Sequence, residues 1–213
     1  MLKLGKKGIL APYTFITSVI TGSIFPLLGS LIALDLKLIT TPYIEGIILV
    51  MFGGFIAHWI TAHTIHDLFH IQKEKRNTLS KRALKILFIS SLIILLAIAI
   101  FLTLKRGWPV MIFAVIGVVC CLYAEGLLHH ESQMAFGAMF LVIGGFYVQV
   151  GTLNLDYLTY VKVTCIALFS FFSQYGWLLL YRLNDYGWSE NFKNRSILVA
   201  KIGLLFLIVY FLL

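Results

Sequence analysis

Two stretches of this sequence hold residues that could do chemistry. The first, from Ala62 to Arg76, sets His63, His66, Asp67, His70, Lys73, Glu74, Lys75 and Arg76 directly behind a long apolar run. The second, from Arg182 to Arg195, does the same with Asn184, Asp185, Ser189, Glu190, Lys193 and Arg195. Asp67, Glu74, Asp185 and Glu190 are four of the nine acids in the chain. Residues four apart share a helix face, so His66, His70 and Glu74 form one stripe, with His63 and Asp67 on its flank. Imidazoles and carboxylates at that spacing are competent ligands for a divalent cation. Carboxylates on two segments holding Mg²⁺, with Lys and Arg beside them, suit a diphosphate, because Mg²⁺ prefers oxygen ligands and shares phosphate oxygens. A metal with nearby bases would stabilise charge developing on a leaving diphosphate. The plainer alternative is that both stretches merely solvate helix ends. Ionisable groups at membrane depth are costly unless used, and four histidines and two acids fall between Ala57 and Glu74, which favours function.

The elements that must position these groups are membrane helices. Hydrophobic residues make up 60% of the chain, charged residues 12%, and mean hydropathy is +0.95, outside the range of soluble domains. The 213 residues suit a single bundle, one domain over 1–213, with no soluble appendage. The net charge of +8 does not indicate nucleic acid, since the bases flank apolar spans as topology signals and headgroup contacts do. Lys3, Lys6 and Lys7 ahead of an apolar run mimic a signal peptide. That run is too long and has no small-residue cleavage site, so a retained first helix is expected. Cys120, Cys121 and Cys165 lie inside apolar runs without metal spacing and read as small core residues.

A spanning helix needs roughly 20 apolar residues. The pattern predicts an all-α polytopic bundle of about seven such helices: Ile9 to Leu34, Ile44 to Ile65, Ala83 to Leu104, Pro109 to Leu128, Met134 to Val150, Leu158 to Tyr181 and Ser196 to Leu213. A cytoplasmic N-terminus puts Lys3, Lys6, Lys7, Lys73, Lys75, Arg76, Lys81, Arg82, Lys85, Arg182, Lys193 and Arg195 inside. Lys37, Lys105, Arg106 and Lys162 then fall outside, the asymmetry that sets orientation. Both acidic stretches emerge on the cytoplasmic side and are expected to meet there.

The order of these features resembles the UbiA superfamily of intramembrane prenyltransferases. Phe25 to Ala33 resembles the family's first-helix pattern, and His66-Asp67-Leu68-Phe69-His70 takes the place of its Asn-Asp-x-x-Asp motif, with Glu74 where a third Asp is expected. Tyr123 follows as the family's fourth-helix tyrosine would. Gly144 to Leu153 is similar to the dihydroxynaphthoate prenyltransferase branch of menaquinone synthesis. Asn184-Asp185 through Glu190, then Asn194 to Gly203, resembles the second acidic motif and the segment after it. The similarity runs over nearly the whole chain.

The resemblance implies an isoprenyl diphosphate donor, an aromatic or other lipid-pathway acceptor, and Mg²⁺. Asp67, His66, His70, Glu74, Asp185 and Glu190 would hold the metal. Lys73, Arg76, Lys193 and Asn184 would contact substrate, and Asp67, Asp185 and Tyr123 would serve catalysis. His66 replaces Asn, His70 replaces Asp and Glu74 replaces Asp, exchanging one carboxylate for imidazole; that shift favours Mn²⁺ or Zn²⁺ over Mg²⁺. Asp185 and Glu190 are five apart where the family has four. The family has nine helices, so a partner subunit, a second copy or lipid is expected to complete the cavity wall. Two further readings stand beside this one. One is a catalytically degenerate relative that binds lipid or quinone. The other is a histidine-rich membrane metalloenzyme of the hydroxylase or desaturase kind, drawing on His63, His66, His70, His129 and His130.

Overall fold

The computed structural model describes residues 8–70, 78–122, 131–186 and 190–213, with residues 70, 121–122, 131 and 181–186 described in backbone only. Those residues form an all-α polytopic bundle. Its helices are α1 (Pro12–Asp35), α2 (Ile44–Phe55, Ile56–Ala62 and His63–His70 in one continuous run), α3 (Lys81–Arg106), α4 (Pro109–Leu122), α5 (Glu131–Val150), α6 (Tyr157–Tyr186) and α7 (Glu190–Leu212). Six are long and apolar enough to cross a membrane, and α4 contributes a shorter apolar stretch, Pro109–Cys120. This is a multi-pass membrane architecture by length and composition.

Helix limits differ from expectation where polar residues begin or end a span. α6 runs on to Tyr186 and α7 starts at Glu190, so Asn184 and Asp185 lie in a last helical turn and Glu190 and Lys193 in a first, rather than in one long loop. Apolar periodicity marks only the part of a helix within hydrocarbon; the hydrogen-bonded backbone continues past it into polar sequence. The expected fourth helix extends to Leu128, and its part beyond Leu122 lies outside the described residues.

Caps are local. Ser80 accepts the Ala83 N–H at 3.3 Å to start α3. Asp156 starts α6 by accepting both the N–H and the hydroxyl of Thr159, at 2.9 and 2.6 Å. Gly107, at φ 97°, ends α3 in a conformation that a side chain would strain.

α1 packs against α2, α5 and α6, and its small residues let α2 and α5 reach its backbone. A Cβ on Gly54 of α2 would sit 2.0 Å from the Gly22 carbonyl oxygen, and one on Gly145 of α5 would sit 2.2 Å from that of Pro26. A Cβ on Gly29 would lie 2.0 Å from the Val142 oxygen. In lipid, where apolar burial gives helices no reason to associate, such backbone approach supplies the dispersion contacts that hold them. Ser30 adds a hydroxyl shared between the carbonyls of Pro26 and Gly145, at 3.1 and 3.2 Å. Phe25, Ile32, Val142, Phe146 and Ile166 then close the core between α1, α5 and α6.

Both α1 and α2 contain a π-helical segment, Ile20–Ile24 and Ile56–Ala62. In α1 the cause is Pro26, which has no N–H and whose ring would collide with the carbonyl four residues earlier. The widened turn just upstream absorbs that conflict.

Three outcomes follow. Gly145→Ala should lower the midpoint of thermal unfolding in detergent by the equivalent of about 1–3 kcal/mol of overpacking. Gly117→Ala, where an added Cβ meets nothing within 4 Å, should leave it unchanged or raised. Asp156 is held below its ordinary pKa of 3.8, mainly by the hydrogen bonds from Thr159. Its cap therefore stabilises α6 above the usual carboxylate range and is lost as pH falls through the depressed value. Asp156→Ala should reduce the unfolding midpoint at neutral pH and make no difference well below pH 3.8, read by circular dichroism.

Candidate functional site

The ends of α2 and α6 lie at the same end of the bundle. Ala62 of α2, Met134 of α5 and Leu178 of α6 pack into one apolar cluster. Asp67 is five residues beyond Ala62 and Asp185 seven beyond Leu178, so at 1.5 Å per residue both stand about 7–11 Å above that contact. α7 joins this end through Arg195, whose guanidinium donates to the Tyr175 hydroxyl and lies over its ring, and through Ser196, whose hydroxyl donates to the Gly176 carbonyl at 3.0 Å.

Asp67 does not face water. It is fully buried, and its Oδ2 accepts the backbone N–H of Ile9 at 3.1 Å. The Trp59 indole N–H donates to the carbonyl of the same residue at 3.2 Å. Two residues of α2, about two turns apart, thus grip both polar groups of Ile9 and tie the chain ahead of α1 to that helix. A buried N–H without an acceptor costs as much as a lost hydrogen bond, so this carboxylate has a structural duty whatever else it does.

Below Asp67 a polar ladder descends into the bundle. The Ser18 hydroxyl donates to the Thr14 carbonyl at 2.7 Å, and its oxygen lies 2.9 Å from His58 Nδ1. The hydroxyl thus links His58 of α2 to the backbone of α1, and the direction of the Ser18–His58 bond follows the imidazole tautomer. The His58 and His63 rings meet edge to face with centroids 5.6 Å apart. Thr21 donates to Gln174 Oε1 at 2.9 Å, Thr61 to Ser91 at 2.9 Å, and the Tyr13 and Trp177 rings stack at 6.0 Å. Polar groups from α1, α2, α3 and α6 therefore satisfy one another inside an otherwise apolar interior.

Of the residues singled out from sequence, Asp67 and His66 are buried at this end, while Glu190 and Lys193 are exposed on the first turns of α7. His70, Asn184 and Asp185 are placed by backbone at the ends of α2 and α6. Glu74, Lys73, Arg76 and Tyr123 lie outside the described residues, as do His129 and His130. Among the described residues no group of three or more His, Cys, Asp or Glu converges on a metal position. Asp67 and His66 supply one carboxylate and one imidazole, fewer than the four to six ligands that Zn²⁺ or Mg²⁺ takes. The remaining ligands would have to come from His70, Glu74, Asp185 and Glu190.

The ladder itself was not anticipated beyond His58 and His63. Ser18, Thr21 and Gln174 are hydrogen-bonding residues inside apolar runs, and that position was the available signal. Cys120 and Cys165 are free thiols, partly and fully buried, as expected of small core residues.

The other end of the bundle is tied separately. Gln149 pairs with the backbone of Tyr43, accepting its N–H at 2.8 Å and donating to its carbonyl at 3.1 Å. The Arg106 guanidinium lies 4.3 Å above the Tyr43 ring, and Tyr147 donates to the Arg106 carbonyl at 2.9 Å. Tyr43 donates to Glu45 at 3.1 Å, and its phenol is pushed up by desolvation first and by Glu45 second. The stretch Gly144 to Gly151 thus supplies packing at Gly145, core at Phe146, and the ties of Tyr147 and Gln149.

Compared with protein-family models, curated proteins and solved structures, the chain matches none.

Asp67→Ala should destabilise the protein by about 1–3 kcal/mol, the cost of a buried unsatisfied donor, and speed proteinase K cleavage within residues 8–11. Asp67→Asn, which keeps an acceptor oxygen, should retain most of the stability and the protection. Thermal unfolding and timed proteolysis read both.

Proposed function

We propose that this chain is a membrane prenyltransferase of the UbiA type, using an isoprenyl diphosphate and a divalent cation to alkylate an aromatic or other lipid-pathway acceptor. The observation that carries the reading is that α2 and α6 end on the same side of the bundle. Both flank one apolar cluster, Ala62 with Met134 of α5 and Leu178 packed against it, and the acidic motifs follow from there. The order of motifs along the chain supports it independently.

In this reading Asp67, His66, His70, Glu74, Asp185 and Glu190 hold the cation, whose chemistry is to neutralise the diphosphate as it departs. Lys73, Arg76, Lys193 and Asn184 bind the diphosphate oxygens and orient the donor. The allylic C–O bond breaks heterolytically, its electron pair leaves with the diphosphate, and the allylic cation is captured by the acceptor's electron-rich carbon. That carbon then loses its proton to water or to the diphosphate. Tyr123 would line the space where the cation forms, and the apolar helix faces below shield it from water. The site end carries Lys81, Arg82, Lys85, Lys193 and Arg195, the other Lys37, Lys105, Arg106 and Lys162, which supports a cytoplasmic site by the positive-inside rule.

A second reading is a catalytically silent relative that holds a lipid or quinone. It is favoured by the bond from Ile9 to Asp67, which gives the first-motif carboxylate work that needs no metal.

Purified protein given a labelled isoprenyl diphosphate and Mg²⁺, Mn²⁺ or Zn²⁺ should release diphosphate, and a chelator should abolish the release. Asp185→Asn should slow it by about 10²–10³-fold, the scale of losing one group that stabilises developing charge. No release with any of the three metals would leave the silent relative as the reading.

A further inference from the structure

A cavity of about 350 Å³ lies away from the acidic end, between α2, α3, α4 and α5. Its walls are hydrocarbon: Leu49 to Ala57 on α2, Leu92 to Leu102 on α3, Val110 to Val119 on α4 and Phe140 to Val148 on α5. Leu96, Val115 and Val119 of that lining are exposed, so the cavity is open sideways to the surrounding phase. Along α2 it runs from Leu49 to Ala57, eight steps or about 12 Å at 1.5 Å per residue, near the thickness of one leaflet's share of a ~30 Å hydrocarbon core. Its inner limit at Ala57 is ten residues, about 15 Å of helix, short of Asp67. Its outer limit, at Leu102 and Val110, lies one turn from Arg106 on either side.

That outer limit is basic. Lys105 and Arg106 end α3, Lys105 exposed over the Phe101 ring and Arg106 half-buried against Tyr43. Arg106 Nε is buried with no hydrogen-bond acceptor among the described residues. Among the described residues neither base forms an ion pair, and Glu45, two residues on from Tyr43, accepts from the Tyr43 hydroxyl. Guanidinium is suited to phosphate oxygens, and Trp108, 67% exposed beside it, sits where an indole marks the headgroup level.

We propose that this corner is a binding site for an anionic phospholipid, its phosphate on Lys105 and Arg106 and one acyl chain in the α2–α5 cavity. A head at the basic end and a tail in the adjoining half of the bundle match in charge, polarity and length. An amphiphile anchored at Asp67 would have to cross the zone of the Thr61–Ser91 hydrogen bond before reaching the cavity. The site is therefore separate from the proposed transferase centre and does not rest on it.

The test uses the full chain in nanodiscs with phosphatidylglycerol carrying a photoactivatable group on its acyl chain, against phosphatidylcholine labelled in the same way. The label should map to peptides from residues 92–119, with phosphatidylglycerol favoured about fivefold, the scale of one base near an anionic headgroup. Arg106→Gln should remove most of that preference while leaving chain labelling by either lipid in place. Gly117→Leu, whose added side chain starts in open space within the cavity, should abolish labelling there with the unfolding midpoint kept. Equal labelling by both lipids, an unchanged preference in Arg106→Gln, or cross-links from this lining to a second copy of the chain would each overturn the proposal.

Discussion

The bundle depends on backbones meeting without side chains between them. Gly22 against Gly54, Gly29 against Val142 and Gly145 against Pro26 bring three helices closer than any Cβ allows. In water a helix pair is driven together by apolar burial, but a surrounding phase as apolar as leucine removes that drive. Contact density and shared hydrogen bonds remain, and α1 supplies both. Its glycines admit α2 and α5, while Ser18, Thr21 and Ser30 bond to α2, α6 and α5. α2 and α6, which carry Asp67 and Asp185, are registered against α1.

The two ends of the bundle are held differently. At the far end aromatic rings and amides clasp one another: Tyr43 with Gln149 and Arg106, and Tyr210 with Asp35. At the acidic end the clasp is a carboxylate on a backbone N–H, with indole on the matching carbonyl. The first kind fixes helix ends and loops through phenol, amide and guanidinium contacts. The second holds a charge inside the bundle, where its cost is high and its hydrogen bonds must be kept.

The number of helices and their approximate spans were legible because hydrocarbon thickness dictates span length. That both acidic segments lie at one end followed from helix alternation alone. The inward turn of Asp67 was not legible, since a carboxylate after an apolar run looks the same whether it meets water or a peptide N–H. Nor was the boundary at Glu190: polar sequence between Tyr181 and Ser196 gives no apolar stripe, yet the backbone is helical on both sides of residues 187–189. Gln174 and Ser18 were overlooked because an isolated polar residue in a span reveals its partner only when the other helix is known.

The π-helical turn at Ile56–Ala62 has a geometric meaning for what lies beyond it. An extra residue in a helix offsets all that follows by one step, about 100° of rotation for the ideal 3.6-residue turn. The stretch from His63 to His70 is therefore phased independently of the glycine face at Gly53 and Gly54, although the two belong to one unbroken rod. Shortening that wide turn by a single residue would leave the lower half seated on α1 and swing the upper half round, carrying Asp67 off Ile9. The bulge acts as the angular adjustment between a surface built for packing and a surface built for polar work, which lets each drift in sequence without dragging the other out of phase.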